Sequence, residues 1–301
     1  MASVYRMWYK PFARPCLDVR CRLWPERICS LMRLDQLLVL RDLAPSRQRA
    51  RELILQEQVL VEGRINKKPG AQVNSNAIIA IQGAGLAYPS RAGLKLEKAL
   101  QVFQIDVQGL SVLDVGASTG GFTSCLLQAG AKLVIAVDVG QGQLVAELRD
   151  DPRVLVFEKT NIRDLTLSQL PAPVDLATVD VSFISLTKVM PTVRSLLTDC
   201  GQIVALVKPQ FETEGAGLSK RGVISKQRVH LTYLPPLINQ LQGGTFGLTG
   251  FDFSPINGGK GNLEYLAHFQ AGAEAFDASE LVCRVIRTGW NERKGEGSGG
   301  S

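Results

Sequence analysis

The chain has 301 residues, and its 34 Lys and Arg against 28 Asp and Glu give a formal net charge of +6. The positive excess lies in the first third, because residues 1–91 hold 15 basic and 7 acidic side chains and the remainder hold 19 and 21. With 45% hydrophobic and 21% charged residues the chain can bury a core, which excludes global disorder, collagen and coiled coil. No uninterrupted apolar run of about 18 residues occurs, which excludes a membrane span.

The cysteines and the two ends of the chain indicate a reduced, cytoplasmic protein. The 6 cysteines form no C-x-x-C pair and the chain has only 2 histidines, so we expect free thiols and no metal site. Residues 1–31 lack the apolar region of a secretory signal and precede a far more regular sequence, which predicts a disordered leader or an upstream start. Glycine and serine near the end predict a flexible tail at 289–301.

Residues 32–82 form the first predicted domain. Apolar spacing predicts helices over 34–43 and 46–56, the second capped by Ser46. A strand at 59–61, a basic turn at 67–70 and a closing strand at 77–81 complete this small α+β unit. Arginines at positions 47 and 51 share one helical face, which indicates either solvated surface or an anionic partner such as a phosphate backbone.

Several strings of this domain resemble the S4-type RNA-binding domain over residues 33–81. They are Arg33-Leu34-Asp35, Ser46-Arg47-x-x-Ala50, Leu53-Ile54, Val59-x-Val61-x-Gly63 and Gly70-x-x-Val73. The family usually has glycine where the second helix ends, and Glu57 stands there instead. If that position needs a positive φ, glutamate costs about 1 kcal/mol relative to glycine. The residues that we expect to contact RNA are Arg33, Arg47, Arg51, Lys67, Lys68 and Arg91.

After a linker at 83–90, residues 91–288 alternate helices with apolar strands. Buried runs of Val, Ile, Leu and Ala between helices predict a Rossmann-like α/β domain, a parallel sheet with helices on both faces. Three β-like segments, near 246–253, 263–269 and 280–286, finish the domain. Ligands of such sheets bind at the carboxyl ends of the strands, so the functional residues are expected there.

The turn after the strand at 111–115 is the sharpest motif of the chain. Its glycines follow the order G-x-x-x-G-G from Gly116, which is neither the dinucleotide fingerprint nor a P-loop. The next strand ends in Asp138, whose carboxylate can accept both ribose hydroxyls of an adenosyl group. Strand, glycine turn, helix, strand and terminal acid together predict S-adenosylmethionine as the ligand. The alternative is a plain tight turn with a helix-capping aspartate.

Four polar residues stand out by position: Lys95, Asp180, Lys208 and Glu264. Asp180 and Lys208 each end a hydrophobic strand, where catalytic groups of such sheets lie. From position alone, a structural ion pair at the rim of the sheet explains those two residues about as well as catalysis does.

In order and context these four residues resemble the Lys-Asp-Lys-Glu tetrad of FtsJ-like ribose methyltransferases. Longer strings are similar to the TlyA family, described as hemolysin-like proteins and ribosomal RNA 2′-O-methyltransferases, over about residues 32–287. They include Gly116-Ala117-Ser118-Thr119-Gly120-Gly121-Phe122-Thr123, Thr160-Asn161-Ile162-Arg163, Asp180-Val181-Ser182-Phe183 and Val207-Lys208-Pro209-Gln210-Phe211-Glu212. The resemblance implies ribose methylation of ribosomal RNA, of cytidine in particular, with ribosomal RNA or ribosomal subunits as partners and without a metal.

The resemblance also implies roles for individual residues. Lys208, as a neutral amine, would take the proton of the ribose 2′-hydroxyl; if the carboxylates keep it charged, Lys208 and Lys95 instead orient the hydroxyl and stabilise developing charge. Asp180 and Glu264 position the two lysines. The residues implied at the cofactor are Gly116, Ala117, Ser118, Gly120, Gly121, Phe122, Asp138 and Asn161. Phe122 and Phe183 are interpreted as core or pocket wall rather than as platforms for base stacking.

Two other classes of protein compete with this interpretation. One is a pore-forming or non-catalytic RNA-binding protein, although no amphipathic or spanning segment is visible. The other is a methyltransferase for proteins, small molecules or base nitrogens. The RNA-binding module argues against the first two substrates, and Asp180-Val181-Ser182-Phe183 lacks the Pro-Pro string typical of base methylation. The sequence does not determine the oligomeric state.

Overall fold

The computed structural model describes residues 31–41, 43–44, 46–62, 64–75, 77, 79–81 and 88–297. The predicted leader therefore lies outside the described residues except for its last position, and so does most of the predicted linker. The chain divides into two compact units, Met1–Ala84 and Gly85–Ser301.

The first unit packs two helices against short strands. Helix α1 (Leu34–Leu40) follows strand β1 (Leu31–Arg33), and α2 (Arg47–Leu55) begins after Ser46, whose side chain accepts a hydrogen bond from the Arg49 amide at 3.2 Å. The predicted cap is thereby confirmed. The remaining strands are β2 (Val59–Val61), β3 (Arg64–Ile65), β4 (Gln72–Asn74) and β5 (Ile79–Ile81). Strand β1 pairs with β4, and β2 lies between β3 and β5.

Glu57, in the turn after α2, adopts a φ of 62°. The glycine that S4-type domains usually have at this position suggests a positive φ, and the structure has this left-handed backbone at Glu57. The Glu57 carboxylate also meets the Lys67 ammonium at 2.8 Å, with both side chains at least half exposed. An exposed pair of this kind contributes little to stability, so the strain of the backbone is the larger effect.

The second unit is built around a seven-stranded sheet. Its strands are β6 (Ser111–Val115), β7 (Leu133–Val137), β8 (Val154–Phe157), β9 (Val174–Val179), β10 (Leu197–Val207), β11 (Phe246–Phe253) and β12 (Tyr265–Ala271). Its helices are α3 (Ala92–Val102), α4 (Gly121–Gln128), α5 (Ala146–Arg149), α6 (Met190–Ser195), α7 (Pro209–Glu212), α8 (Gln227–Leu241) and α9 (Ser279–Gly297).

The strands lie in the order β11-β12-β10-β9-β6-β7-β8, and β12 runs in the direction opposite to the other six. Along the sequence, β7 and β8 are added to the sheet on one side of β6. The chain then returns to the other side of β6, where β9 and β10 are added. The carboxyl ends of β6 and β9 therefore flank the point where the strand order reverses, which is where open α/β sheets bind ligands.

Hydrophobic side chains cover both faces of this sheet. Alternate residues of a strand point to opposite faces, and Val112 accordingly belongs to one buried cluster while Leu113 and Val115 belong to the other. Helices α3, α4 and α5 cover the first face, and α6, α8 and α9 cover the second. This is the predicted sheet with helices on both faces.

Three predicted elements differ from the structure. Residues 280–286 form part of α9 rather than a strand, because apolar residues such as Val282 and Ile286 recur at helical spacing and are buried against the sheet. That helix extends through Gly297, so the described part of the predicted tail is helical and buries Trp290. The apolar sequence over 183–198 also predicts a single helix, but the structure has there only a short turn and α6, and β10 already begins at Leu197.

Replacing Glu57 with glycine should stabilise the first unit by about 1 kcal/mol, because glycine adopts a positive φ without strain. The measurement is hydrogen exchange of the slowest amides of α1 and α2. Arg51→Gly is the matched control, since glycine inside α2 should destabilise the unit by about the same amount. A loss of protection in Glu57→Gly would contradict the strain argument.

Candidate functional site

The sheet brings three of the four predicted polar residues to one edge. Asp180 follows β9 and Lys208 follows β10, and these strands are adjacent and parallel. Glu264 directly precedes β12, which is antiparallel and pairs Tyr265 with Val207. The amino end of β12 therefore lies beside the carboxyl end of β10, which the order of residues along the chain does not reveal.

Lys95 and Lys208 each form a close ion pair at this edge. The Lys208 Nζ lies 2.5 Å from Asp180 Oδ1 and donates a hydrogen bond to Ser182 Oγ at 3.0 Å. The Lys95 Nζ, on the first turns of α3, donates to Glu264 Oε2 at 2.6 Å. Lys95 and Lys208 are 8% and 9% exposed and Glu264 is 2% exposed, so each ammonium has exchanged most of its hydration for a carboxylate.

The two pairs open into a cavity of about 550 Å³. Lys95, Lys208 and Glu264 line it together with Ser182 and Phe183. The pairing sorts the tetrad into Lys208 with Asp180 and Lys95 with Glu264, a division that the sequence does not supply. Both lysines present their remaining N–H donors in a confined space, a geometry suited to holding a hydroxyl group.

A second cavity, of about 480 Å³, lies at the reversal point of the strand order. Gly116, Ser118, Asp138 and Asn161 line it, as does Asp180. Ser182 and Phe183 line both cavities, so the two are neighbours. We call the cavity lined by Lys95, Lys208 and Glu264 the tetrad cavity and the one lined by Gly116 and Asp138 the glycine-turn cavity. Together they could hold two ligands side by side.

Gly116 is required by the close approach of two strand ends. Its φ is 88°, and a Cβ placed there would lie 2.5 Å from the Asp180 carbonyl oxygen. The Asp138 carboxylate secures the same turn, accepting hydrogen bonds from the Ser118 amide at 2.8 Å and the Gly140 amide at 2.7 Å. Each carboxylate oxygen retains a second lone pair, so Asp138 can still accept hydroxyl donors.

Four of the eight residues predicted at the cofactor do not line this cavity. The side chain of Phe122 is 3% exposed and packs in the hydrophobic core, and Ala117 is buried beneath the turn. Gly120 packs against Leu148, and Gly121 packs against Ser90. A Cβ at either position would collide with that side chain, so both contacts require glycine. The glycines of this part of the motif therefore serve the packing of α4.

Several cavity residues were not among the predicted site residues. Val139 and Phe183 are 72% and 87% exposed, unusual values for apolar side chains inside cavities. Phe183 also has a φ of 64° and packs against Phe211 with ring centroids 5.0 Å apart. Phe183 lines both cavities and Phe122 lies in the core, and the interpretation that neither ring stacks on a base stays a prediction. The signal available in the sequence was the position of Val139 and Phe183, one and three residues after strand-ending acids.

Asp114 is a further buried acid beneath the glycine turn. It is fully buried in β6 and accepts hydrogen bonds from Thr123 Oγ1 at 2.6 Å and Thr178 Oγ1 at 3.0 Å. Burial raises the pKa of Asp114 to about 6, opposed by the two threonine hydrogen bonds and assisted by the negative charge of Asp180. Asp114 thus ties β6 to α4 and β9 below both cavities.

The predicted RNA-binding residues of the first unit fall into two groups. The buried Asp35 carboxylate holds the Arg33 guanidinium through hydrogen bonds of 3.0 and 2.9 Å and lies 3.6 Å from that of Arg47. The hydrogen bonds from Arg33 hold the pKa of Asp35 below its usual value. Within the described residues, Arg51 and Lys68 are exposed and form no ion pair, whereas Lys67 is engaged by Glu57.

Arg91, the sixth predicted residue, is half-buried in the second unit and precedes α3. Across the described part of the chain, no three His, Cys, Asp or Glu side chains are grouped so that they could hold a metal ion. None of the described helices is long and apolar enough to cross a membrane.

Asp114→Asn should change how stability depends on pH. Because the folded-state pKa of Asp114 is raised to about 6, its stabilising contribution is complete below the unfolded-state value and is lost as the pH rises through 6. Between pH 4.5 and 7 the free energy of unfolding of the unsubstituted protein should fall by about 2 kcal/mol relative to Asp114→Asn. Chemical denaturation of both proteins at several pH values measures this, and parallel pH profiles would contradict it.

Known proteins share this architecture and both kinds of unit. The FtsJ-like methyltransferase model matches residues 88–271, and the S4 domain model matches residues 32–79. Those matches and the seven-stranded sheet confirm the predicted fold class, a Rossmann-like methyltransferase domain preceded by a small α+β domain.

Three relatives are similar over most of their length. The 16S/23S rRNA (cytidine-2′-O)-methyltransferase TlyA of Mycobacterium tuberculosis is 42% identical over 77% of this chain and 87% of its own. Hemolysin A of Brachyspira hyodysenteriae is 41% identical over 79% of this chain and 99% of its own. A solved structure from Streptococcus thermophilus is 38% identical with a TM-score of 0.70, covering 89% of this chain and 99% of its own. The chain is an FtsJ-like methyltransferase with an S4 domain and belongs to the TlyA family.

Proposed function

We propose that this methyltransferase transfers a methyl group from S-adenosylmethionine to a ribose 2′-hydroxyl of ribosomal RNA, in the cytoplasm. The observation that carries the proposal is the pair of buried lysine–carboxylate contacts in one cavity, next to a second cavity formed by the glycine turn. The relative from Mycobacterium tuberculosis is named for cytidine 2′-O-methylation of 16S and 23S rRNA, which supports cytidine as the target here.

The glycine-turn cavity suits the cofactor in size and in chemistry. Asp138 would accept the ribose hydroxyls, Asn161 would lie beside the adenine, and Gly116 and Ser118 would line the methionine end. An adenine ring could also cover the exposed side chain of Val139, which otherwise presents apolar surface to water. S-adenosylmethionine, when bound, supplies the electrophilic methyl group that is transferred.

The ribose hydroxyl would enter the neighbouring cavity, where Lys208 meets it. An ammonium group has three N–H donors. Lys208 donates one of them to Ser182 and lies 2.5 Å from Asp180 Oδ1, so donor capacity remains for the hydroxyl oxygen. If Lys208 passes a proton to Asp180 across their 2.5 Å contact, the resulting amine can take the hydroxyl proton. If Lys208 stays charged, it orients the hydroxyl and stabilises the negative charge that develops on oxygen.

Lys95 and Glu264 would position the same ribose from the other side. Glu264 engages one Lys95 donor at 2.6 Å and leaves two that can reach the cavity. Buried charges with fixed partners do not reorganise during the reaction, and such preorganisation is the main source of electrostatic catalysis. The tetrad thus orients the nucleophile for in-line displacement, while the glycine-turn cavity orients the methyl group.

A hemolysin-like or non-catalytic RNA-binding protein is the competing function, since one relative is named Hemolysin A. Burying two lysines and their carboxylates is unfavourable compared with burying hydrophobic residues of similar size. RNA binding by itself does not require two buried lysine–carboxylate pairs that line one cavity. The buried tetrad therefore favours the enzymatic function.

Replacing Lys208 with alanine should lower the rate of methyl transfer to ribosomal RNA by at least about 100-fold, because either role of the lysine is lost. S-adenosylmethionine binding, measured by calorimetry, should be retained. The rate is measured under single-turnover conditions by mass spectrometry of the 2′-O-methyl product.

The substitution leaves the Asp180 carboxylate buried without its partner, which destabilises the fold. The double variant K208A/D180N should recover that stability without recovering the rate, and Lys132→Ala, at an exposed site before β7, is the matched control. A K208A protein that retained most of the wild-type rate would remove Lys208 from the mechanism.

The first unit should anchor the RNA through its unpaired cations. In the double variant Arg51→Gln with Lys68→Gln, two phosphate contacts are lost, so the slope of log binding constant against log salt should decrease by roughly 1.4 to 1.8. Filter binding of a ribosomal RNA fragment over a range of salt concentrations measures the slope. An unchanged slope would show that Arg51 and Lys68 do not contact the phosphate backbone.

A further inference from the structure

Three exposed cations lie on two loops at the mouth of the tetrad cavity, and we call them the cationic rim: Lys220, Arg221 and Lys260. Lys260 lines the cavity itself. Lys220 and Arg221 lie between Leu218 and Gly222, both of which also line it. Within the described residues, no ion pair involves any of the three rim cations. Lys220 and Arg221 lie on the loop between α7 and α8, and the only acid on that loop is Glu214, which is exposed.

The lysines inside the tetrad cavity are paired with carboxylates, whereas the cations of the cationic rim are not, in the part of the chain that the structure describes. Lys95 and Lys208 are neutralised by Glu264 and Asp180, so the tetrad as a whole carries no net charge to attract a phosphate group. The residues after position 91 together hold 19 basic and 21 acidic side chains, so the second unit lacks a general positive field. Attraction for an anionic substrate at this cavity must therefore come from local cations without carboxylate partners.

Hydrogen bonds fix the loop that carries Lys220 and Arg221. The two residues occupy the centre of a tight turn, in which the Gly222 amide donates to the Ser219 carbonyl at 2.8 Å and the Ser219 amide donates to the Val223 carbonyl at 3.0 Å. Gly222 has a φ of 76°, which suits glycine at this position. The turn therefore holds both side chains at its tip, directed away from the core.

Asn262 joins this loop to the one that carries Lys260. The side chain of Asn262 is 2% exposed; its Oδ1 accepts from the Ile224 amide at 2.9 Å and its Nδ2 donates to the Gly222 carbonyl at 2.8 Å. A Cβ placed on Gly222 would lie 3.1 Å from the Lys260 Nζ, so the two loops are in contact. The two loops therefore hold the backbone positions of the three rim cations fixed relative to one another.

The Lys260 loop is also secured from behind. The Gly258 amide donates to the Asn262 carbonyl at 2.8 Å, and the Gly261 amide donates to the Gly258 carbonyl at 2.7 Å. From α9, the Arg293 guanidinium donates to the Gly261 carbonyl at 2.8 Å. Cations held on rigid loops lose less conformational entropy when they bind a ligand than cations on mobile chains.

We propose that the cationic rim binds the RNA backbone phosphates on either side of the nucleotide whose ribose enters the tetrad cavity. The inference rests on the proposed function, because it takes RNA as the substrate. In RNA the 2′-hydroxyl lies on the carbon next to the one that bears the 3′-phosphate. A lysine that holds this phosphate at the wall of the cavity therefore also limits where the hydroxyl can lie relative to Lys208.

Phosphate is the anion that best matches three separate cations on two loops. A phosphodiester backbone repeats its charge along the strand, so separate cations can each contact a phosphate, and both lysine and arginine bind phosphate groups. The rim and the S4 domain would then have different tasks. The S4 domain would supply general affinity, and the rim would position one nucleotide.

The experiment compares Lys260→Gln and the double variant K220Q/R221Q with Lys132→Gln. Lys132 is an exposed lysine at the amino end of β7, on the opposite edge of the sheet, and its substitution removes the same charge. Binding of a ribosomal RNA fragment is measured over a range of salt concentrations for the full-length proteins. Methyl transfer to the same RNA is measured in parallel to obtain KM and kcat.

The salt slope should decrease by about 0.7 to 0.9 for K260Q and by about twice that for K220Q/R221Q. At 0.1 M salt this corresponds to roughly five- to eightfold weaker binding for each lost contact. KM should rise in all rim variants, kcat should fall further in K260Q than in K220Q/R221Q, and S-adenosylmethionine binding should stay unchanged. The K132Q protein should match the unsubstituted one.

Two outcomes separate this proposal from the proposed function. If the unsubstituted protein methylates ribosomal RNA and the rim variants have the slopes and KM values of K132Q, the rim proposal is overturned while the function stands. If rim variants lose salt slope but the unsubstituted protein forms no 2′-O-methyl product, the rim is an RNA-binding surface and the proposed function is wrong.

Discussion

Two lysine side chains lose most of their water at the carboxyl edge of the sheet, and each recovers the lost interaction from one carboxylate. The contacts of Lys208 with Asp180 and of Lys95 with Glu264 are 2.5 and 2.6 Å long. Buried charges of this kind are tolerated only when partners are fixed within hydrogen-bonding distance, since an unpaired buried charge is strongly destabilising. Every element that carries one of the four residues must therefore be held in place. The register of β9, β10 and β12 and the packing of α3 meet that requirement.

The reversal of strand order at β6 and β9 supplies the second constraint. The two strand ends approach so closely that only glycine fits at position 116, and the Asp138 carboxylate then fixes the turn through backbone amides. Beneath the turn, buried Asp114 links β6 to α4 and β9 through two threonine hydroxyls. The glycine-turn cavity and the tetrad cavity consequently share residues of the segment after β9, namely Ser182 and Phe183. A change in that segment would alter the walls of both cavities.

The two units differ in how they carry positive charge. The first unit carries exposed cations, some of them organised by acids such as Asp35, whose buried carboxylate meets two arginines. The second unit neutralises the cations that it buries and keeps a few unpaired ones on loops outside. General attraction for a polyanion and the exact placement of one nucleotide make different demands, because the first benefits from accumulated charge and the second requires fixed geometry.

Local sequence determined where most helices and strands form and which residues end them. The apolar runs of the strands, the cap at Ser46 and the strand-ending positions of Asp138, Asp180 and Lys208 all follow from neighbouring residues. The helical spacing of Val282 and Ile286 was also present, but a short apolar segment does not distinguish a strand from a helix that is buried on one face. Only packing against the sheet decides between them.

Tertiary structure decided which of these residues meet. Glu264 faces Lys95, 169 positions earlier in the chain, because β12 enters the sheet antiparallel to β10. The glycine motif divides into Gly116, at the cavity, and Gly121, against Ser90, because a Cβ would collide with a different neighbour at each position. The pattern G-x-x-x-G-G identifies the turn but cannot say which atoms approach each glycine. The sequence by itself therefore determined the elements and the residue types at their ends, whereas the pairing of charges and the walls of the cavities depend on contacts between segments far apart in the chain.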